Sequence, residues 1–344
     1  MTATGTRMPA EWEKQDAVLL AWPHRDSDWL PILEKITAVY VELTRRIVQF
    51  ESVLIATPEP AAVKNCLSTA RIDLGKIRIA QIPTNDTWTR DFGPITVLRD
   101  GKPLLLDFGF NGWGRKFPAD RDNLATGRLH SAGCFGTTSR EIIDLILEGG
   151  SIESDGAGTI LTTSACLLNN NRNPHLNRRQ IEQALSEYLG ARQVLWLEHG
   201  HLAGDDTDSH IDTLARLCPD DTILYVRCND PEDEHDSALQ QMERQLRQLR
   251  NRSGEPFRLI PLPWPEPSYD EEGQRLPATY ANFLIINGAV LVPTYADPAD
   301  TTALAAIAEA FPGREIIGLD CRPVIRQHGS LHCITMQIPQ GVLP

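Results

Sequence analysis

Five residues of this sequence are of types that do chemistry: Asp91 in TNDTWTRDFGP, Glu148 in LEGGSIESDG, His210 and Asp212 in HGHLAGDDTDSHID, and Cys333 in RQHGSLHCIT. A thiol served by an imidazole can act as a nucleophile. On an extended segment side chains two apart share a face, so His210 could move protons while Asp212 holds a cation. The two glycines after Glu148 let the backbone turn sharply and approach another group closely. Three carboxylates around a thiol do not suit attack on an ester or peptide bond, because a developing oxyanion needs donors and carboxylates would repel it. They do suit a guanidinium, a planar cation whose N–H donors carboxylates meet in pairs and whose central carbon stays open from above the plane.

Each residue also has a plainer reading. Asp91 could be a turn or capping residue, Glu148 an exposed acid, and Cys333 a buried strand cysteine with His332 alternating beside it in a structural role. Asp86, Asp155 and Asp208 are turn residues by default. A rival chemistry starts from His199 and His201, which could put two imidazoles on one face at a strand end. With Asp205, Asp206, Asp208 and His210 they would make a zinc or manganese hydrolase site.

Elements must bring such distant residues together. Leu33, Ile36, Val39, Tyr40, Leu43 and Ile47 form one apolar stripe, predicting a helix within 29–50. Others are predicted over 178–189, with Asn177 as N-cap and Gly190 as stop, over 236–251, and over 300–311. Strands begin near Ile77, Ile142, Val194, Phe257 and Glu315, a spacing of about 60 residues that suggests an internal repeat. The apolar residues of the Ile142 run would also fit a helix. Each strand leads into a polar stretch and then a strand or hairpin: ITVLRDGKPLLLDF, GTILTTSACLLN, DTILYVRC, NFLIINGAVLVPTY and CITMQIP. AVLLAWP, near the start, would complete the last unit and close a ring. The expectation is a circular α/β repeat in one domain, 1–344, with the polar stretches meeting at its centre. The stretch after the fourth strand, PWPEPSYDEE, carries no strong signal, and 265–277 reads as a mobile loop.

Composition limits the partners. The chain has 344 residues, 41% hydrophobic and 23% charged, as in soluble globular proteins. A net charge of -13 argues against nucleic acid or an anionic membrane as partner and favours a cationic ligand. No apolar run is long enough to span a bilayer, and the first residues lack a signal-peptide pattern. Seven scattered cysteines without a C-x-x-C pair suggest a reducing, cytoplasmic setting.

TWTRDFGP, LEGGSIESDG, LLNNNRNP, DDTDSHID, NGAVLVPTY, HGSLHCIT and the opening MPAEWEKQDAVLLAWPH together resemble the agmatine deiminase family, relatives of bacterial peptidylarginine deiminases, over nearly the whole chain. The resemblance implies the pentein fold, a five-bladed, pseudo-symmetric α/β propeller of ββαβ modules around a central active site. It implies Cys333 as nucleophile, His210 as general acid and base, Asp91 and Asp212 as the grip on the guanidinium, and Glu148 as the carboxylate that orients His210. Its departures are Ser209 where the family usually has glycine, Ser330-Leu331 before the His-Cys pair, and Glu153 after Gly-Ser-Ile. The implied reaction is agmatine to N-carbamoylputrescine and ammonia, toward putrescine, through a covalent thiouronium and without cofactor or metal. Free or peptidyl arginine is the alternative substrate. Trp88, Trp113, Asp86 and the 265–277 loop are candidates for the far end of this small guanidino cation, and a homo-oligomer is expected. With anionic neighbours the Cys333 thiol should be hard to ionise until a cationic substrate binds.

Overall fold

The computed structural model describes residues 5–344. Its longer helices lie where apolar spacing and caps put them. Asn177 Oδ1 accepts from the Gln180 N–H, and Gln180 Oε1 accepts from the Asn177 N–H, a reciprocal pair that opens the helix Arg178–Leu189. Gly190 ends it at φ 73°, and a Cβ there would lie 2.0 Å from the Thr6 carbonyl oxygen. Ile181, Leu185 and Leu189 are its buried face. Leu33–Ile47, Asp236–Gln248 and Asp300–Ala310 fill the other three helical stretches, each somewhat shorter than expected.

Between the helices lie five mixed sheets with one connectivity. In each, a first strand is antiparallel to a second, and a helical crossover leads to a third strand parallel to the second. The triples are Ile95–Arg99, Lys102–Gly109 and Ser139–Ile146; Ile152–Ser154, Thr159–Thr163 and Gln193–Leu197; Ala215–Cys218, Thr222–Val226 and Arg258–Leu262; and Leu284–Ile286, Ala289–Thr294 and Glu315–Asp320. The fifth joins the chain's two ends: Met336–Pro339 pairs antiparallel with Gln15–Ala21, which runs parallel to Ser52–Thr57. The pairing expected of AVLLAWP with the C-terminal unit is therefore present. Central strands such as Gln15–Ala21 and Thr222–Val226 are buried almost throughout, because helices and neighbouring sheets cover both faces.

Two expectations change, at Ile77–Gln81 and within 265–277, while the Ile142 run keeps its expected strand. Ile77–Gln81 is a strand, but it is a fourth, edge strand of the last sheet; by connectivity the counterpart of the other crossover strands is Ser52–Thr57. The Ile142 run is a strand, Ser139–Ile146, with Ile142 itself exposed. Within 265–277, Ser268–Tyr269 pairs with Arg275–Leu276, and Arg275 Nη2 donates to Asp233 at 2.6 Å, so this segment is an anchored hairpin. No helix among the described residues is long and apolar enough to cross a membrane.

Replacing Asn177 with alanine removes the cap acceptor and should lower the unfolding free energy by about 1 kcal/mol, read as a lower urea midpoint at unchanged slope.

Candidate active site

One position recurs in the five sheets: the turn just before the first strand. It carries Asp91, in the short helix Thr89–Phe92; Glu148, at the head of the 3-10 turn Gly149–Ser151; His210 and Asp212, at the 3-10 turn Ile211–Thr213; Asn282, ahead of Leu284–Ile286; and Cys333, ahead of Met336–Pro339. The side chains converge. His210 Nδ1 lies 3.6 Å from Asp91 Oδ1, and Cys333 Sγ lies 3.8 Å from Asp212 Oδ2. Gly150 sits among them: its N–H donates to Asp91 Oδ1 at 3.0 Å, and a Cβ there would lie 2.6 Å from His210 Nδ1, 2.8 Å from Asp91 Oδ1 and 3.1 Å from Asp212 Oδ2. The second glycine of the EGG motif is thus required by space. All five chemical residues are buried.

Sequence reasoning erred on local geometry at two of these places. His210 and Asp212 do not share a face of an extended strand; Asp212 lies within the 3-10 turn. Cys333 and His332 precede their strand, so alternation does not separate them. Instead, His332 bridges two carboxylates, with Nδ1 2.7 Å from Asp212 Oδ2 and Nε2 2.7 Å from Glu11 Oε1. Asn282, from the repeat without a signal, accepts from the backbone N–H of His332 (3.0 Å) and of Cys333 (3.2 Å), and its Nδ2 lies 3.4 Å from the Asp212 carbonyl oxygen. It fixes the Cys333 backbone, and its position ahead of a hairpin is the sequence signal that could have found it.

Glu148 lies within 4.8 Å of His210 and of the Cys166 thiol, measured between their nearest ligand-type atoms. Its hydrogen bonds go elsewhere: Arg172 Nε donates to both oxygens at 2.9 Å. Arg172 also donates to Asp208 Oδ2 at 2.6 Å, giving Asp208 a role in bracing the site that its turn-forming character had hidden. Neither ring nitrogen of His210 has a hydrogen-bond partner, and neither does Asp212 Oδ1, although all three atoms are buried. Buried polar atoms are ordinarily satisfied, so these three mark the place of a ligand.

Electrostatics separates Asp91 from Asp212. Burial pushes both upward. For Asp91 it prevails, aided by Asp212 and Glu148 against His210 and the Trp113 N–H, and the carboxyl lies above its ordinary value. For Asp212 the hydrogen bond and charge of His332, with His210 and Arg216, outweigh burial and hold it below. Burial, then the charges of Asp212 and Asp91, push the Cys333 thiol well above the ordinary range.

From Asp91 and Cys333 a cleft with about 790 Å³ of space opens outward. Trp88, Trp113 and Phe117 line it with Asp28, Asp86 and Asp206, so three of the residues expected at the far end of a substrate are on its wall. Trp113 has φ 53° and ψ 46°, a conformation rare for a large side chain, and thereby donates Nε1–H to Asp91 Oδ2 at 2.9 Å. Asp86 accepts from Trp29 Nε1 at 2.8 Å, and burial raises its carboxyl to about 6. Arg326 also lines the cleft, but Glu271 holds its Nη2 at 2.7 Å.

The rival metal reading is not supported. His199 and His201 are exposed and away from His210; the His201 ring stacks against His235, centroids 5.6 Å apart. Neither belongs to a group of close ligand-type atoms among the described residues. The two groups that do form contain Glu148, or Glu11 and Glu153, all already bonded to arginine.

Gly150→Ala should keep its unfolding midpoint to within a few degrees yet lose at least about 100-fold in turnover, because its methyl would occupy the space between His210 and the carboxylates. The raised thiol gives a second expectation. In the unliganded protein the Cys333 thiolate, followed by absorbance at 240 nm against Cys333→Ser, should form only above the usual thiol range, and a guanidinium ligand should bring its formation to lower pH.

Over residues 7–339 the sequence matches the Porphyromonas-type peptidyl-arginine deiminase family. It is 33% identical over 360 residues to the agmatine deiminase of Pseudomonas aeruginosa (strain LESB58), covering 98% of this chain and 96% of that one. Among solved structures, a cysteine-to-serine variant of the C. jejuni agmatine deiminase with substrate bound has a TM-score of 0.93 at 41% identity, covering 99% of this chain and 98% of that one. An amidinotransferase of Microseira wollei, at 13% identity and a TM-score of 0.55 over 99% of both chains, shares the α/β fold alone. With a match from Arg7 to Pro339 and a relative one-third identical over nearly full length, the chain belongs to the Porphyromonas-type peptidyl-arginine deiminase family.

Proposed function

We propose that this protein is an agmatine deiminase, converting agmatine and water to N-carbamoylputrescine and ammonia, a step toward putrescine. The observation that carries the reading is the set of unpartnered buried atoms, Asp212 Oδ1 and both His210 nitrogens, beside the Cys333 thiol. Carboxylates around a thiol call for a planar cation, and the relatives named agmatine deiminase support the same choice. The five like-connected sheets are read as five blades of one domain, with the site on their common axis.

Asp91 and Asp212 grip the guanidinium nitrogens. The bound cation favours the Cys333 thiolate, and His210 takes the thiol proton. Sγ attacks the central carbon; His210 returns the proton to one terminal nitrogen, and ammonia leaves. The enzyme then carries a thiouronium. His210 takes a proton from water, the hydroxide adds to the same carbon, and the C–S bond breaks. The added hydroxyl gives up its proton to solvent as the ureido product departs, and the proton on His210 goes back to sulfur. Glu148, held in place by Arg172, puts a carboxylate within 4.8 Å of His210, where it favours the protonated imidazole.

The cleft favours agmatine over arginine. An ammonium at the far end meets Asp86, Asp206 and aromatic walls. An α-carboxylate would meet the same acids, and Arg326 is already paired with Glu271. Ammonia release from agmatine should exceed that from arginine or an arginyl peptide by at least about 100-fold in kcat/KM, and Cys333→Ser should abolish it. Undiminished turnover by Cys333→Ser would refute the thiol mechanism. Faster turnover of arginine, lost on Arg326→Ala, would move the assignment to an arginine deiminase.

A further inference from the structure

The mechanism leaves one buried cluster unused. Glu11, from the opening MPAEWE segment, lies 2.9 Å from Arg90 Nη1, 2.8 Å from Arg216 Nη2 and 2.7 Å from His332 Nε2. Arg216 also binds Glu153 and donates to the carbonyl oxygens of Ala281 (3.0 Å) and Phe283 (2.6 Å). Arg90 reaches Gln337 and the His332 carbonyl oxygen. The whole cluster faces one target, since His332 Nδ1 ends on Asp212 Oδ2 at 2.7 Å.

We propose that Glu11 and His332 are positioning residues: Glu11 holds His332 as an imidazolium, and His332 fixes the charge and orientation of Asp212 so that its second oxygen is free for the substrate cation. This rests on the deiminase reading for the identity of that cation. The chemistry follows from donor counting. An ionised carboxylate only accepts, so a ring with both nitrogens on carboxylates must carry both protons. The carboxylates are ionised because cations face them. Glu11 is held well below the ordinary carboxylate range by Arg90, His332 and Arg216 against burial, and Asp212 is lowered as described above. The groups around His332 are Glu11, Asp212, Glu153, Arg216 and Arg90; those around Asp212 are His332, His210, Arg216, Asp91 and Cys333. Arg90, Arg216 and His332 face Glu11, Asp212 and Glu153, the last of which burial raises against the opposing charge of Arg216. With one oxygen held by His332, Asp212 keeps Oδ1 unpartnered.

His332→Asn tests this, because its amide can still donate to Asp212 but carries no charge. Asp212 would then protonate at higher pH, so kcat/KM for agmatine should fall more steeply in acid than in the wild type, beyond the loss that Asp86 and Asp91 already cause. The KM should rise about tenfold with a smaller change in kcat, since Asp212 grips the substrate cation. A folded His332→Asn enzyme with the wild-type acidic limb and KM would overturn the proposal. Protein NMR of the ring nitrogens gives a readout without turnover. The chain has nine histidines, and the His332 signal is the one missing from His332→Asn, or displaced in Glu11→Asp should the first variant not fold. Both nitrogens should carry protons in the unliganded enzyme at the pH of the activity assay, as two carboxylate partners require. A ring with one bare nitrogen there, in an enzyme that does turn over agmatine, would overturn the relay while leaving the deiminase reading intact. A doubly protonated ring in a protein inert toward agmatine would refute the substrate and keep the relay.

Discussion

Carboxylates that must grip a cation have to stay ionised in a buried site before the cation arrives, and this constraint organises the centre of the molecule. A buried charge without a partner is costly enough to neutralise itself instead. Each carboxylate here is supported on the side away from the substrate: Glu148 by Arg172, Asp212 by His332, and Asp91 by the N–H groups of Gly150 and Trp113. The supports differ in kind. Asp212 has a cation and is lowered, whereas Asp91 has dipoles with only His210 nearby and is raised. The Cys333 thiol is raised by the same acids. A guanidinium bound there, as the proposed function has it, opposes the last two shifts at once and completes an electrostatic balance that the protein leaves open on one side.

The fold makes such an arrangement possible because one backbone feature is used repeatedly. A turn that enters the first strand of a sheet delivers Asp91, Glu148, Asp212, Asn282 and Cys333 in turn. The supporting cations lie close in sequence or in the adjoining strand: Arg90 precedes Asp91, and Arg216 follows Asp212 within Ala215–Cys218. Pairing Met336–Pro339 with Gln15–Ala21 brings Glu11 beneath the turn that carries His332 and Cys333. Removing one member of such a network strands its partner's charge, a loss of about 3–5 kcal/mol in buried pairs, so the residues are coupled across most of the chain.

The distribution of what could be read from the sequence follows from physics. Helix Arg178–Leu189 was legible to the residue because a capping side chain and a left-handed glycine are local signals. The chemical residues were legible because a thiol, an imidazole and acids beside turn-forming residues are unusual together. Their conformations were not, since a 3-10 turn such as Ile211–Thr213 has no pattern that separates it from an extended segment. The buried arginines were missed altogether. An arginine is ordinarily a surface residue, and only Arg216 carried a hint, flanked by Leu214, Ala215 and Leu217 in a strand with no polar face. His332 was set aside because alternation was applied to residues that precede the strand.

Separate supports also divide the cleft into two functions with different sensitivities to acid. At the outer part, Asp86 has only neutral donors, Trp29 and Thr87, and burial raises its carboxyl to about 6. At the inner part, Asp212 is held below the ordinary value by an adjacent charge. As pH falls, Asp86 therefore becomes neutral first and the far end of the cleft loses part of its preference for a second positive charge. Asp212 keeps its charge at that pH. Under the proposed function, the preference for a second positive charge rests on Asp86, which lacks a cationic support, and the hold on the guanidinium on Asp212, which has one.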